Sequence, residues 1–193
     1  MQSKLLYGIF RKNAIDVTNK TQYSEEELMG ISIVGAVDKK WGIGLNNKLL
    51  ISIPADMKQF AELTTGHVCI MGRNTLQSLP GGRPLVNRVN IVLSRDKDFK
   101  VAGVTVVNTV EEALKEASKY TGKEIFIIGG ESMYKEFLPY ADTAYITYID
   151  YAYQADRHMP NLDEDEQWQL INESDEQTYF NVEYYYRKYK KIS

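Results

Sequence analysis

Asp56 is the acidic residue whose position best suits proton chemistry. It follows Pro54, which favours the first turn of a helix, and Phe60 lies on the helix face that must point inward. An acid in the first turn commonly stabilises the helix dipole, by about 0.3–1 kcal/mol. A partly buried carboxylate in a pocket would instead have a raised pKa and could hold or relay a proton. The local sequence favours these two interpretations equally.

Two apolar segments reach glycine directly before a polar helix start, an arrangement that can bind phosphate. They are residues 70–75 (I-M-G-R-N-T) and 127–132 (I-I-G-G-E-S). Free N–H groups at a helix N-terminus favour anions, and the Arg73 side chain and nearby hydroxyls are suitable phosphate donors. Taken alone, the first segment fits a salt-bridged surface arginine equally well. The second fits a tight packing turn better, because it lacks the G-x-G-x-x-G spacing.

Alternating strands and helices must position these candidates, and the alternation begins at Ile31. The apolar patterns predict strands at 31–37, 68–71, 89–93, 104–107 and 125–128, and helices at 54–66, 73–79, 109–120 and 131–138. Thr109 and Glu112 predict a capping box. Residues 144–150, 168–173 and 178–190 read as further strands without intervening helices. The pattern therefore predicts an α/β fold, with a mostly parallel central sheet and antiparallel C-terminal strands.

The composition is that of an average soluble domain. The chain has 193 residues, 44% of them hydrophobic, and a net charge of −3, which argues against a dedicated nucleic-acid binder. Cys69 is the single cysteine and lies in an apolar run, so we expect a buried thiol without a disulfide, and two histidines give no reason to expect a metal site. Residues 1–29 show neither the alternation of a strand nor the apolar period of a helix. We interpret them as a peripheral extension of a domain at 30–193. No apolar run resembles a signal peptide or a membrane span, so we expect a cytoplasmic protein.

Five motifs, taken in chain order, resemble the dihydrofolate reductase family of the bacterial type. They are V-D-K-x-W-G-I-G at 37–44, I-P-A-D-M-K-x-F at 53–60, I-M-G-R-x-T at 70–75, N-R-x-N-I-V-L-S at 87–94 and I-I-G-G-E-S-x-Y at 127–134. The likeness runs from Ile31 to the C-terminus. It implies an eight-stranded sheet flanked by four helices. It also implies NADPH-dependent reduction of 7,8-dihydrofolate to tetrahydrofolate, which supplies one-carbon metabolism.

The resemblance also implies roles for individual residues. Asp56 matches the acid that binds the pterin ring and assists proton delivery, and Thr147 matches the hydroxyl that supports it. Arg88 matches the arginine that binds the substrate's glutamate α-carboxylate, a task suited to a bidentate guanidinium. The other implied substrate contacts are Val34, Ala36, Met57, Phe60, Leu79 and Leu85. The implied NADPH contacts are Ala36, Ile43, Gly44, Leu49, Gly72, Arg73, Asn74, Thr75, Ser94, Arg95, Ile128, Gly129, Gly130, Glu131, Ser132 and Tyr134.

The resemblance further implies a moving loop and two departures from the family pattern. Residues 43–49 match a loop that closes over the cofactor, and Asp156 matches the acid that steadies its closed state. Ile51 stands where the family often has a tryptophan that helps to order a water near the pterin. Asn74 stands where the family often has a basic residue.

Three other functions are compatible with parts of the sequence. A reductase of the same fold that acts on a riboflavin-pathway pyrimidine would need phosphate-binding groups in place of Asp56. A folate- or nucleotide-binding domain without turnover is suggested by Ile51 alone. The aromatic and basic run at 184–190 could stack on bases, but its alternation is more typical of a half-buried terminal strand. We expect a monomer that binds dihydrofolate and antifolate inhibitors, with no nucleic-acid or membrane partner.

Overall fold

The computed structural model of the chain describes residues 30–192, so the extension predicted at 1–29 lies outside the described residues. The helices are α1 (Pro54–Thr64), α2 (Arg73–Ser78), α3 (Val110–Ala117) and α4 (Glu131–Phe137), with a 3-10 turn at Pro80–Gly82. The strands are β1 (Ile31–Asp38), β2 (Gly42–Leu45), β3 (Lys48–Leu49), β4 (Val68–Gly72), β5 (Val89–Leu93), β6 (Thr105–Val107), β7 (Ile125–Ile127), β8 (Thr143–Ile149), β9 (Arg157–His158), β10 (Trp168–Glu173), β11 (Gln177–Tyr179) and β12 (Val182–Lys191).

The main sheet is mostly parallel and ends in antiparallel strands, as the sequence predicts. Its strand order is β10-β12-β8-β1-β7-β4-β5-β6, with β11 paired to β12. The strands from β8 to β6 run parallel to one another, whereas β12 runs antiparallel to β8, β10 and β11. The carboxyl ends of β1, β4, β5 and β7 therefore lie at one edge of the sheet, where open α/β sheets bind ligands.

Both faces of this sheet are buried, which explains its near-continuous apolar strands. Alternate residues of the central strands belong to two separate clusters. The first cluster includes Ile33 and Ile70 and is covered by α3 and α4, which contribute Leu114 and Phe137. The second includes Val34, Cys69 and Met71, and α1 and α2 cover it with Phe60, Leu63 and Leu76. Cys69 is fully buried, as predicted, and burial raises the pKa of its thiol to about 12.

The predicted C-terminal strand at 178–190 is wrong in one respect, because the chain reverses within it. Tyr179 pairs with Val182, so Phe180 and Asn181 form a two-residue turn between β11 and β12. Phe180 adopts a φ of 53° and is 84% exposed, as a turn position demands. The apolar–polar alternation continues through this turn and therefore conceals it. The sheet has nine strands for this reason, instead of the eight that the resemblance implies.

The segment after β1, which includes the loop that the resemblance implies at 43–49, forms part of a small sheet with the order β3-β2-β9. Its strands have only two to four residues, which is too short for a visible period. The buried carboxylate of Asp38 anchors its base by accepting hydrogen bonds from the N–H groups of Lys40, Gly42 and Tyr153, each at 2.8 Å. The loop is thereby fixed at its start to the end of β1.

The other predicted helices and strands agree with the observed bounds to within three residues. At the start of α3, Thr109 Oγ1 accepts a hydrogen bond from the N–H of Glu112 at 3.1 Å. The Glu112 carboxylate accepts a hydrogen bond of 2.7 Å from the N–H of Asn108. The capping box predicts the N–H of Thr109, one residue later, as the donor. Among residues 30–192, no helix is long and apolar enough to cross a membrane.

Candidate functional site

A cleft of about 1230 Å³ lies along the carboxyl ends of the parallel strands. Its walls come from β1 at 34–36, from the ends of β4, β5 and β7, and from the helices α1, α2 and α4 that follow or face them. The loop at 43–49 contributes Ile43, Gly44 and Leu49 to its rim. The cleft therefore forms where the chain topology brings distant strand ends together.

Almost all of the predicted site residues line this cleft. The exceptions are Leu85 and Arg88, which lie just outside the lining. Leu85 packs in the second core cluster beside Phe60. The Arg88 guanidinium lies 5.7 Å from the centre of the Phe60 ring, and its Nε donates to Thr64 Oγ1 at 2.8 Å. Both residues therefore flank the cleft behind Phe60 without forming its surface.

Asp56 and Thr147 form the polar centre of an otherwise apolar part of the cleft. Asp56 lies in the first turn of α1, and Thr147 projects from β8 to donate a hydrogen bond of 2.5 Å to Asp56 Oδ1. Burial raises the pKa of Asp56, and the Thr147 hydrogen bond opposes part of that rise. A half-buried carboxylate with a raised pKa inside a cleft is suited to holding a proton. Of the two interpretations of Asp56, the structure thus favours the pocket carboxylate.

Tyr134 closes the cleft behind β1 and requires a glycine opposite. Its hydroxyl donates a hydrogen bond of 3.0 Å to the carbonyl of Val34, and the ring is buried. A Cβ atom on Gly35 would lie 2.6 Å from this hydroxyl, so a larger residue at that position would displace the ring. Burial, followed by the charge of Asp56, raises the pKa of Tyr134, which keeps its hydroxyl protonated.

The two glycine-containing segments converge at the other end of the cleft. The N–H of Gly72 donates to the carbonyl of Gly129 at 2.8 Å, and a Cβ on Gly130 would lie 3.4 Å from Thr75 Oγ1. The N-terminal ends of α2 and α4 therefore open side by side into one cleft. Two adjacent sets of free N–H groups can hold an extended anion such as a pyrophosphate.

Arg73 lies beside these helix ends and carries an acidic partner. Its Nη1 donates to Asp96 Oδ2 at 3.1 Å, and the guanidinium lies 5.5 Å from the centre of the Phe99 ring. The buried Ser94 accepts the N–H of Asp96 at 3.2 Å, and the exposed Arg95 follows it in the lining. Two arginines and a serine thus surround one exposed corner of the cleft. This corner offers the donors that a phosphate ester needs.

The loop over the cleft is held at both of its sides. Asp156 Oδ2 accepts a hydrogen bond from the N–H of Asn46 at 3.1 Å, and Asn47 Nδ2 donates to the carbonyl of Asn74 at 3.3 Å. The loop therefore contacts the segment before β9 on one side and α2 on the other. Both contacts are exposed, so solvent can compete for them.

A sequence profile described as dihydrofolate reductase matches residues 30–191. The chain belongs to the dihydrofolate reductase family. A dihydrofolate reductase of Bacillus subtilis is 40% identical over 142 residues, covering 74% of this chain and 82% of the relative. One from Staphylococcus haemolyticus is 35% identical over 166 residues, covering 84% and 96%.

A solved structure gives the same assignment. Dihydrofolate reductase from Enterococcus faecalis, complexed with NADP(H) and RAB-propyl, superposes with a TM-score of 0.77 at 31% identity, covering 85% of this chain and 97% of that chain. The predicted family, the fold class and the assignment as an oxidoreductase are thereby confirmed. The match favours dihydrofolate reductase over the pyrimidine reductase and the binding domain that the sequence left open.

Several residues of the dihydrofolate reductase cleft were not predicted from the sequence. Gln59 and Leu63 lie one and two turns further along the α1 face that carries Asp56, so helical spacing could have found them. Asp96 reaches the cleft from a loop and Arg157 from the two-residue strand β9, where no local pattern points to them. The other additional lining residues are Gly35, Ser52, Ser78, Pro80, Leu93, Met133, Lys135, Glu136 and Tyr145. Asn47 and Lys48, from the predicted loop at 43–49, and Ile51 also line the cleft. Within residues 30–192, no group of three His, Cys, Asp or Glu side chains could hold a metal ion.

The raised pKa of Asp56 predicts that the buried charge of this carboxylate lowers the stability of the folded protein at neutral pH. A folded-state pKa above the unfolded value means that the folded protein binds this proton more tightly. Stability from this group is therefore present below the ordinary aspartate range and is lost as pH rises through the folded pKa. Asp56→Asn should raise the Tm of the ligand-free protein by a few degrees at neutral pH, because asparagine carries no charge to bury.

Thermal unfolding of both proteins at neutral pH and at about pH 3.5, below the usual aspartate pKa, checks this expectation. The Tm difference should vanish at the acidic pH. Asp98→Asn, at an exposed acid outside the cleft, is the matched control. An Asp56→Asn variant that is less stable than the parent at neutral pH would contradict the prediction.

Proposed function

We propose that this chain reduces 7,8-dihydrofolate to 5,6,7,8-tetrahydrofolate with NADPH, and that Asp56 assists proton delivery. The observation that carries this proposal is the half-buried Asp56–Thr147 pair inside the cleft. It lies between apolar walls on one side and two glycine-containing helix starts on the other. A single carboxylate is sufficient for the protein's part in proton transfer, because the cofactor carries the hydride.

The residues of the cleft fit NADPH. Gly129 and Gly130 leave the backbone after β7 free of side chains. There is little room for one at Gly129, because a Cβ there would lie 3.1 Å from the Tyr134 hydroxyl. The N–H groups that open α2 and α4 would hold the phosphates, and Arg73, Ser94 and Arg95 would hold the 2′-phosphate. NADPH supplies the hydride when it is bound. The NADP(H) complex of the Enterococcus faecalis relative supports this choice of cofactor.

On the substrate side, Asp56 would orient the pterin. Its carboxylate can accept hydrogen bonds from the pterin amino and ring N–H groups, while Thr147 holds one oxygen in place. Met57, Phe60 and Leu79 would form the apolar walls. Fixing the pterin in this way can supply a large part of the rate acceleration, up to roughly 7–11 kcal/mol, because hydride transfer requires close alignment.

Arg88 would bind the substrate's glutamate α-carboxylate at the mouth of the cleft. Thr64 Oγ1 and the carbonyl of Val86 hold the guanidinium at 2.8 Å and 3.0 Å. The guanidinium has five N–H groups, so these bonds can orient the fork and leave donors for a ligand. Its place behind Phe60 is compatible with a substrate tail that extends beyond the cleft lining.

The remaining parts of the proposal concern the whole protein. The catalytic domain comprises residues 30–193, and residues 43–49 close over the cofactor with Asp156 holding the closed loop. We propose a monomer as the functional unit. A net charge of −3 supports a protein without a nucleic-acid partner. We place the protein in the cytoplasm and include antifolate inhibitors among the ligands of the cleft.

NADPH absorbance, followed with and without dihydrofolate, tests the proposed reaction. We expect a loss of absorbance that requires dihydrofolate, with NADH supporting a much slower reaction at equal concentration. Binding of both ligands without turnover would contradict the proposal and support a binding domain. Ile51→Trp would then be the first variant to test, because Ile51 lines the cleft where the family often has tryptophan.

A further inference from the structure

Arg157 is an exposed cation at the rim of the cleft, and the roles proposed above do not use it. It belongs to β9, the two-residue edge strand of the small sheet, and it lines the cleft. The next residue, His158, lies outside the lining. Since successive residues of a strand point to opposite faces of a sheet, Arg157 points toward the cleft and His158 points away from it.

The neighbouring strand leaves the Arg157 side chain uncovered on this face. Its pairing partner in β2 is Gly44, which has no side chain to lie over the guanidinium. A Cβ on Gly44 would lie 2.8 Å from the carbonyl oxygen of Lys48, so a side chain at this position would displace the turn between β2 and β3. The close packing of the loop therefore keeps the space beside Arg157 open.

Most of the hydrogen-bonding capacity of Arg157 is free for a ligand. Its Nη1 donates to the carbonyl of Asp156 at 2.8 Å, and within residues 30–192 the guanidinium makes no other hydrogen bond. A guanidinium has five N–H groups, so four donors remain.

The charge of Arg157 is also without an acidic partner among residues 30–192. Two other cations of the cleft are engaged: Arg73 pairs with Asp96 at 3.1 Å, and Lys135 pairs with Glu131 at 2.6 Å. An unpaired guanidinium that faces a cleft favours an anionic ligand, above all one with two oxygens that can accept parallel N–H bonds.

The loop over the cleft connects the surroundings of Arg157 with the start of α2. On one side, the N–H of Asn46 donates to Asp156, the residue before Arg157, at 3.1 Å. On the other side, the Asn47 side chain donates to the carbonyl of Asn74, in the first turn of α2, at 3.3 Å. Arg157 therefore faces the cleft from the side of the loop, opposite the glycine-containing segments beside which we place the NADPH diphosphate.

The other anionic groups of the two ligands have binding residues elsewhere. The 2′-phosphate is assigned to the exposed corner with Arg73, beyond the end of β5, and the substrate's α-carboxylate is assigned to Arg88. The diphosphate, in contrast, is assigned only to backbone N–H groups, which carry partial charges, although it bears full negative charges. It is therefore the anion that lacks a cationic partner.

We propose that Arg157 binds the diphosphate of NADPH from the side of the small sheet. The guanidinium would donate to phosphate oxygens that the backbone N–H groups of α2 and α4 leave free, and its charge would offset the charge of the diphosphate. The inference rests on the NADPH site proposed above.

Arg157→Gln tests this proposal, because it removes the charge and keeps a long polar side chain. NADPH and NADH share the diphosphate, so both dissociation constants should rise by the same factor, about five- to tenfold at low salt. This factor is at the lower end for a charged hydrogen bond because the side chain is exposed. The loss should shrink as the salt concentration increases.

Two fragments of the cofactor show which group Arg157 binds. Adenosine 2′-monophosphate has no diphosphate and should bind the Arg157→Gln variant as tightly as it binds the parent. 2′-Phospho-ADP-ribose has the diphosphate but no nicotinamide, and it should lose the same factor as NADPH. If it binds both proteins equally, Arg157 acts only through the loop over the nicotinamide, and the proposal is overturned.

Lys40→Gln is the matched control for the change in net charge. Lys40 is an exposed cation in the turn before β2 and lies outside the cleft lining. Its substitution should leave the dissociation constants of NADPH and NADH unchanged. Unchanged binding in Arg157→Gln, a loss confined to NADPH, or an equal loss in Lys40→Gln would overturn the proposal.

The parent protein separates this inference from the function on which it rests. If the parent binds neither NADPH nor NADH, the proposed cofactor site fails, and the role of Arg157 fails with it. If the parent binds NADPH and Arg157→Gln binds it equally well, only the role of Arg157 fails.

Discussion

Asp56→Asn is expected to lower the rate of dihydrofolate reduction at neutral pH by a factor of about 100 or more, the usual size of a general acid–base contribution. Asparagine keeps the shape of the side chain and can still accept the hydrogen bond of Thr147. It cannot carry a proton for transfer. The loss should therefore appear in the hydride-transfer rate, because the pterin nitrogen beside the accepting carbon must gain a proton as the hydride arrives.

Acidic solution distinguishes this cause from a simple loss of binding. A substrate that takes its proton directly from solvent no longer needs the carboxylate, so the deficit of Asp56→Asn should shrink as pH falls. Asp98→Asn should match the parent at every pH, because Asp98 lies outside the cleft lining. A loss of only about threefold or less in the rate of Asp56→Asn at neutral pH would exclude the proposed role. Such a loss is well below the usual contribution of a general acid or base.

The sequence predicts the parts of this fold whose signal is local. Strands such as β4 and β5 are short apolar runs with clear ends, and Pro54 marks the start of α1. The turn at Phe180 is invisible because residues on both of its sides continue the same alternation. The strands β2, β3 and β9 depend on pairing between distant segments, and two to four residues carry no period of their own.

The site depends even more on contacts that cross the chain. Asp56 attracts attention from its position in a helix, but its hydrogen bond to Thr147 joins residues 91 positions apart. The family resemblance supplies Thr147, whereas spacing alone does not. Arg88 illustrates the converse: its residue type suits a carboxylate, yet Thr64 and Val86 hold it outside the cleft lining. Motif matching therefore identifies the site residues. Only the tertiary structure shows their hydrogen-bond partners and whether their surroundings raise or lower their pKa values.

Arg73→Ala is expected to weaken NADPH binding by about 10- to 100-fold, the size of a lost charge-assisted hydrogen bond, and NADH binding by much less. The two cofactors differ only in the 2′-phosphate, so a residue that binds this group must discriminate between them. Arg73 also neutralises Asp96 across 3.1 Å. Its removal leaves the Asp96 charge facing the same corner of the cleft, which adds repulsion of a phosphate to the loss of a donor.

Asp96→Asn makes these two effects separable. Alone, this substitution frees the Arg73 guanidinium from its acidic partner. It should tighten NADPH binding, because the guanidinium no longer has to give up the Asp96 carboxylate in order to bind the 2′-phosphate. Combined with Arg73→Ala, it should recover part of the lost NADPH affinity, while NADH binding stays nearly constant in all three variants. Dissociation constants for both cofactors, measured at two salt concentrations, check the set, since an ionic contact weakens as salt increases. Equal weakening of NADPH and NADH by Arg73→Ala would remove Arg73 from phosphate recognition and leave it as the ion-pair partner of Asp96.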